Sequence, residues 1–321
     1  MIIEKFSFFN PFDFNDPVAY AIPGFILMIV GEFFLYIKKK KHPDKEFFKD
    51  ASASIGLGLG SVFIDIGMKA VAIGYLLWFY QFRLLDNLGP ATVQQFADWQ
   101  WHKDHWWVWI ICLFGQDFAF YWHHRLSHEI RILWSAHVNH HSSTNINFAT
   151  ALRQSWTELL YKDVWYIPLA LLGFHPLMIA TLHQLNLIYQ YWPHTEAIGK
   201  LGWYEKIFNT ASHHRVHHAT NVKYLDKNYG GIFIIWDRML GTFQEEDEKE
   251  PCIYGLTKNI HSYNLLEITF HELKAIARDV RNAPTVKAKM NYMFNSPGWS
   301  HNGPDLRART LQKNLRYHEL L

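Results

Sequence analysis

The chain has 321 residues, 49% hydrophobic and 19% charged, with a formal net charge of +2 at pH 7. That length holds one large or two ordinary domains with ample material for a core, and with no basic stripe interleaved with aromatics, nucleic-acid binding has no support. Its only two cysteines, Cys112 and Cys252, stand far apart and cannot supply an iron–sulfur cluster or a cysteine-rich zinc site.

Residues 18–37, VAYAIPGFILMIVGEFFLYI, form an apolar run long enough to cross a hydrocarbon core of roughly 30 Å as a helix, although Pro23 and Glu32 interrupt it. The lysines Lys38 to Lys41 follow at once and mark the cytoplasmic side by the positive-inside tendency. No basic segment opens the run, and Pro11, Asp13 and Asp16 precede it, so it is expected to be an anchor rather than a cleaved signal peptide. A second apolar region covers 51–82 with Asp65 and Lys69 inside it, and a third covers 106–122. The fourth, 163–192, is broken at GFHP (173–176), as a helical hairpin dipping into the bilayer and returning would be. Trp and Tyr flank the runs as interfacial belts do. The expected fold class is all-α: an integral membrane helical bundle with a cytosolic, histidine-rich helical cap, against the competing reading of a greasy soluble bundle. Three regions are expected: transmembrane helices and connecting loops over 1–109, a histidine-rich region with the membrane hairpin over 110–245, and a polar cytosolic segment over 246–321.

Twenty histidines are many for this length, and most of the excess is phased. His124 and His128 stand at i, i+4, so on a helix both imidazoles reach one metal. Asp117 and Tyr121 continue that stripe, whereas His123 lies about 100° away on the wheel and is the weaker candidate. His137, His140 and His141 form a second group at i, i+3, i+4; His214, His217 and His218 repeat those offsets, with His213 off the main face. A solitary imidazole ordinarily makes a surface or interfacial hydrogen bond, and that is the reading for His42, His102, His105, His175, His261, His271, His301 and His318. A zinc ion is saturated by three or four ligands, so the phased histidines suffice for two ions.

The zinc-hydrolase pattern H-E-x-x-H is absent, because Ile132 follows His128 and Ala275 follows His271 at the second ligand position. A haem needs only a pair of axial histidines, and a metal transporter would show a loose histidine-rich loop or an intramembrane acidic pathway. Nine positions separate His128 from His137, which on one straight helix means about half a turn of rotation and about 13 Å of rise. The chain must therefore bend between 129 and 136, though no Pro or Gly marks the place. A site of this kind is expected where the spans emerge on the cytosolic side, within reach of a lipid chain.

The stretches DFAFYWHHRLSH, LWSAHVNHHSS, PHTE and HHRVHHATNVKYLDKNYGGIFIIWDRMLGTF resemble the fatty acid hydroxylase/sterol desaturase superfamily of integral membrane, non-haem diiron oxygenases, over about 110–245. Within it, ALRQS (151–155), YQYWPHTE (189–196) and SPGWS (296–300) are similar to the alkylglycerol monooxygenase group. The resemblance implies metal ligands at His124, His128, His137, His140, His141, His214, His217 and His218, and it adds His194, which alone would read as a cap or interface residue. Glu196 beside it becomes a candidate for a group behind the ligands; the roles of His123 and His213 stay open.

The same resemblance implies two Fe, replaceable by Zn on purification, and a multi-pass membrane protein with its active site on the cytosolic side. It implies a membrane lipid substrate, O2 and an external reductant, which for this group is tetrahydrobiopterin. Hydroxylation next to an ether oxygen would give a hemiacetal that falls apart to aldehyde and glycerol. The sequence carries no flavin, haem or Rossmann fingerprint, so electrons must come from outside the chain. Competing readings are a sterol or fatty acid hydroxylase or desaturase with a cytochrome-type donor and, from another class, a non-redox membrane zinc protein. Residues 226–243 are read as a structural strand or loop lying over the site, and Arg125 and Arg153 as charge partners.

Overall fold

The structure is a computed structural model that describes residues 17–40 and 45–319, so Lys41 and His42 lie outside the described residues. Helix α1 (Pro17–Lys40) and helix α2 (Lys45–Tyr80) are, among the described residues, the two long and apolar enough to cross a membrane. At 1.5 Å per residue α2 is about 54 Å long. Ile22, Ile26, Leu27, Val30 and Phe34 on α1 and Leu59, Val62, Phe63 and Val71 on α2 are exposed. Contiguous apolar surface of this extent is lipid-facing rather than water-facing, and the chain is a membrane protein.

Two short helices follow, α3 (Val93–Phe96) and α4 (Trp99–Asp104), whose first turns are capped by Thr92 and Asp98 side chains accepting from Gln95 and Gln100 backbone N–H groups. Helix α5 (Trp106–Glu129) joins the third apolar region to the first histidine pair. Its Trp106, Ile110, Ile111, Phe114 and Phe118 face outward, while Val108, Cys112, Asp117 and Tyr121 are buried. One extended residue, Ile130 (φ −121°, ψ 116°), ends it, and helix α6 (Arg131–His141) starts at once. The expected bend falls here.

Short 3-10 turns between Thr150 and Tyr166 lead into the hairpin of α7 (Ile167–Leu172) and α8 (Pro176–Tyr191). Gly173 between them has φ +122°, and a Cβ there would fall 2.1 Å from the Leu85 carbonyl oxygen, so no side chain fits. Pro176 opens α8, where its missing N–H costs nothing. Leu76 and Tyr80 of α2, Val108 and Cys112 of α5, Leu169 and Ala170 of α7, and Met178, Ile179 and Leu182 of α8 form the main core.

The remaining helices are α9 (Ala211–His218), α10 (Ile235–Leu240), α11 (Leu265–Asn282), α12 (Val286–Phe294) and α13 (Ala308–Glu319). Arg131, at the break between α5 and α6, pairs with Glu272 (2.7 Å) and Asp279 (2.8 Å) on α11. The C-terminal helices thereby brace the start of α6. Among the described residues there is no β-strand, only the isolated bridges Phe208–Phe233 and Ala219–Tyr254, so 226–243, expected as a strand or loop, is a loop as far as Ile234 and then the short helix α10.

Candidate metal centre

Helix α5 supplies His124 and His128, α6 supplies His137, His140 and His141, the turn after α8 supplies His194, and α9 supplies His214, His217 and His218. All nine are buried. Their donor atoms form two groups, His124, His128, His137, His141 and His217 in one, and His140, His194, His214 and His218 in the other, each within a span of 4.8 Å. This division cuts across the sequence groups. Adjacent residues on a helix point about 100° apart, so His140 and His141 serve different groups, as do His217 and His218.

The donor atoms fit metal ions. Nε2 atoms face one another at 3.1 Å (His124, His137), 3.0 Å (His140, His194), 2.8 Å (His194, His214) and 3.0 Å (His214, His218). Donors at right angles around one ion, each about 2.1 Å away, sit about 3 Å apart. Nε2 of His128, His141 and His217 is buried with no hydrogen-bond partner. The rings are oriented from behind: Nδ1–H of His124 donates to the Tyr229 carbonyl (2.8 Å), His194 to Gln190 (2.8 Å) and His217 to Lys227 (2.9 Å). Those partners assign the tautomer with a lone pair on Nε2, the form that coordinates. A carboxylate does the same work at His137, where Glu158 lies 3.3 Å from Nδ1, and Asp226 stands 3.5 Å from Nδ1 of His128 as a neighbouring acid.

Burial above all, reinforced by neighbouring imidazoles, holds His124, His128, His140, His141, His214 and His218 well below the usual imidazole range. Burial also pushes His194 down to about 4 and His217 to about 3. Neutral imidazole is the ligand form, so the cluster is prepared for cations without a proton having to leave. Imidazole suits iron, zinc, copper and nickel alike. Groups of five and four nitrogens leave positions open around ions that take six ligands.

Other histidines stand apart. His123 belongs to neither group and lies 3.3 Å from Glu158; His213 packs its ring on Phe243. His102, His105 and His271 bond to backbone carbonyls, His175 caps α8, and His301 meets the Tyr292 hydroxyl. His261 also joins neither group. Glu196 is exposed. It is Glu32 of α1 that reaches the His194 turn, accepting from the Thr195 hydroxyl and from the Phe148 backbone N–H. The residue that weakens α1 as a span therefore ties it to the site.

Segment 226–243 does more than cover the site. Asp117, on the first histidine stripe, accepts from the N–H groups of Ile232 (2.7 Å) and Phe233 (3.0 Å) and from Trp236 Nε1 (2.8 Å); Asp237 accepts from the Tyr229 and Gly230 N–H groups. A Cβ at Gly231 would sit 2.7 Å from Asp117 Oδ1, so only glycine permits this approach. The two carboxylates thus place the Lys227 and Tyr229 carbonyls behind His217 and His124. Arg125 pairs with Glu129 (3.1 Å) and the buried Arg153 with Asp50 (3.2 Å).

A cavity of about 630 Å³ reaches the centre, lined by His124, His137, His140, His194 and His214. Its apolar wall includes Ile22, Phe25 and Ile29 of α1 and Ile55, Leu59 and Val62 of α2. Between Val18 and Val30 it follows α1 for about 18 Å.

Residues 109–242 match the family model described as fatty acid hydroxylase. The chain is 38% identical to alkylglycerol monooxygenase of Homo sapiens, over 91% of the chain and 62% of the relative, and 37% identical to that of Danio rerio, over 95% and 65%. It is 25% identical to cholesterol 25-hydroxylase of Mus musculus, over 74% of the chain and 77% of the relative. The chain spans a little under two thirds of the length of the alkylglycerol monooxygenases. No solved structure matches it.

Proposed function

We propose that the chain, whose residues 109–242 match the fatty acid hydroxylase family model, is a membrane-embedded diiron monooxygenase that oxidises the alkyl chain of an alkylglycerol beside the ether oxygen. The observation that carries this reading is the opening of both histidine groups onto one apolar, lipid-sized cavity. Two ions would be held by His124, His128, His137, His141 and His217, and by His140, His194, His214 and His218. When bound, iron at these positions supplies the activation of O2 by which one oxygen atom enters a C–H bond and the other leaves as water, at the cost of two electrons from an external donor.

The chain's own residues bind and orient. Ile22, Phe25, Ile29, Leu59 and Val62 hold the alkyl tail and keep water away from the reacting carbon. The carbonyls of Tyr229, Gln190 and Lys227, with Glu158, fix the rings of His124, His194, His217 and His137. Hydroxylation at the carbon bonded to the ether oxygen yields a hemiacetal, which breaks its C–O bond to release a fatty aldehyde and glycerol. Tetrahydrobiopterin is the proposed donor, by similarity to the alkylglycerol monooxygenases.

The proposed topology is multi-pass, with α1 and α2 crossing, α5 and the α7–α8 hairpin embedded, and the centre on the cytosolic side with Lys38. Cysteine-accessibility labelling that placed 137 and 214 on opposite faces would refute it. The activity is tested in membranes carrying the protein. They should convert an alkylglycerol to fatty aldehyde only when tetrahydrobiopterin and O2 are both present, and His128→Ala should abolish the conversion. Indifference to ether lipids, with hydroxylation of a sterol or acyl chain from a cytochrome-type donor, would overturn it.

A further inference from the structure

Among the polar side chains in the cavity wall that are not in the histidine groups, Asp65 on α2, Lys162 just before α7 and His183 on α8 stand together. Lys162 Nζ donates to Asp65 Oδ1 at 3.1 Å, and Lys69 holds the other carboxylate oxygen at 3.0 Å. Asp163 lies close to both lysines, so Asp65 and Asp163 together face Lys69 and Lys162. His183 Nδ1 meets the Tyr166 hydroxyl at 2.9 Å, while its Nε2 is buried with no hydrogen-bond partner. Ionisable groups at membrane depth and unpaired buried ring nitrogens are both costly, and neither is needed by the metal centre.

We propose that Asp65, Lys162 and His183 form the seat for the polar end of the lipid, and that the head it takes is an uncharged polyol such as the glycerol of a monoalkylglycerol. This rests on the ether-lipid reading above. Charge balance selects the class. Around the seat Asp65 and Asp163 stand against Lys69 and Lys162, while Glu158 faces His123 and His137, so the seat is strongly polar without a net charge to attract a phosphate or an ammonium head. A hydroxyl both donates and accepts, and can therefore bond to Asp65, to Lys162 and to His183 Nε2 in either tautomer.

Position agrees with chemistry. Lys162 follows Glu158 by four residues, and both side chains line the same cavity. Glu158 touches the ligand His137, so a head seated at Lys162 leaves the ether carbon a few bonds away, near the centre. The tail then has the wall formed by α1 and α2.

The test is equilibrium binding by the purified, metal-loaded full chain of two ligands of equal chain length, hexadecylglycerol and hexadecyl methyl ether, which lacks hydroxyls. Wild type is compared with Lys162→Met, where Lys69 still compensates Asp65, and with His183→Asn, whose amide can keep the Tyr166 bond. Wild type should prefer the glycerol ether by about tenfold or more. Each variant should lose most of that preference, with methyl ether affinity and metal content unchanged. Equal binding of both ligands by wild type, or full retention of the preference in both variants, overturns the seat. If the preference depends on these residues but the bound lipid is not cleaved with donor and O2, the seat stands and the ether-cleavage reading falls.

Discussion

Replacing Arg153 by Met should cost both stability and metal. Arg153 is 1% exposed, and its Nε donates to the Asn139 carbonyl and the Ser142 hydroxyl, both at 3.0 Å. Its Nη1 donates to Asp50 (3.2 Å) and Ser54 (3.1 Å) of α2. Asp50 is 3% exposed and would keep only the Ser143 hydroxyl as a side-chain partner. Breaking a buried pair from one side leaves a buried charge uncompensated, at about 3–5 kcal/mol. For a chain of 321 residues that is roughly 4–7 °C in Tm. The two acceptors on α6 and its end flank His140 and His141, so their loosening should lower metal affinity by about 10–100-fold. Thermal unfolding in detergent and metal titration measure the two effects. The double variant Asp50→Leu, Arg153→Met should recover most of the stability, because an apolar pair removes the orphaned charge. A single variant within about 1 kcal/mol of wild type would refute the argument that this pair fixes α6 to α2.

Glu158→Gln should weaken metal binding by about 10–100-fold while leaving the fold intact, since it removes the carboxylate behind His137 Nδ1 but keeps an acceptor oxygen; unchanged affinity in a chelator competition would count against that role. The metal-free protein should lose stability as pH falls from about 6.5 towards 4, seen as a falling Tm between pH 7.5 and 5. His194 and His217 sit at about 4 and about 3 in the fold, below the unfolded value, so in that window the unfolded chain binds protons that the folded chain does not. A flat Tm across the window would contradict the burial of neutral imidazoles.

The clustered histidines were legible because helical spacing puts i, i+3 and i+4 on one face, which is how His124 with His128 and the two H-x-x-H-H sets stand out. Their division into two groups was not, because it depends on how α5, α6 and α9 cross. His194 has no partner at helical spacing, and only similarity singled it out. The carbonyls of Lys227, Tyr229 and Gln190 leave no mark in a sequence, since every residue has one. Glu158 was missed for a related reason: it comes from a 3-10 turn with no periodicity. Gly173 and Pro176 announced the hairpin, whereas the turn at Ile130 could be required by geometry but not located, because any residue adopts extended backbone.

Metal analysis of the purified protein, with Mössbauer spectroscopy after growth on labelled iron, tests the central claim most directly. The account predicts two ions per chain. His194→Ala should cost the ion held by His140, His194, His214 and His218 while the other group keeps its own, and His217→Ala should do the converse. One ion per chain, unchanged by either substitution, would contradict it.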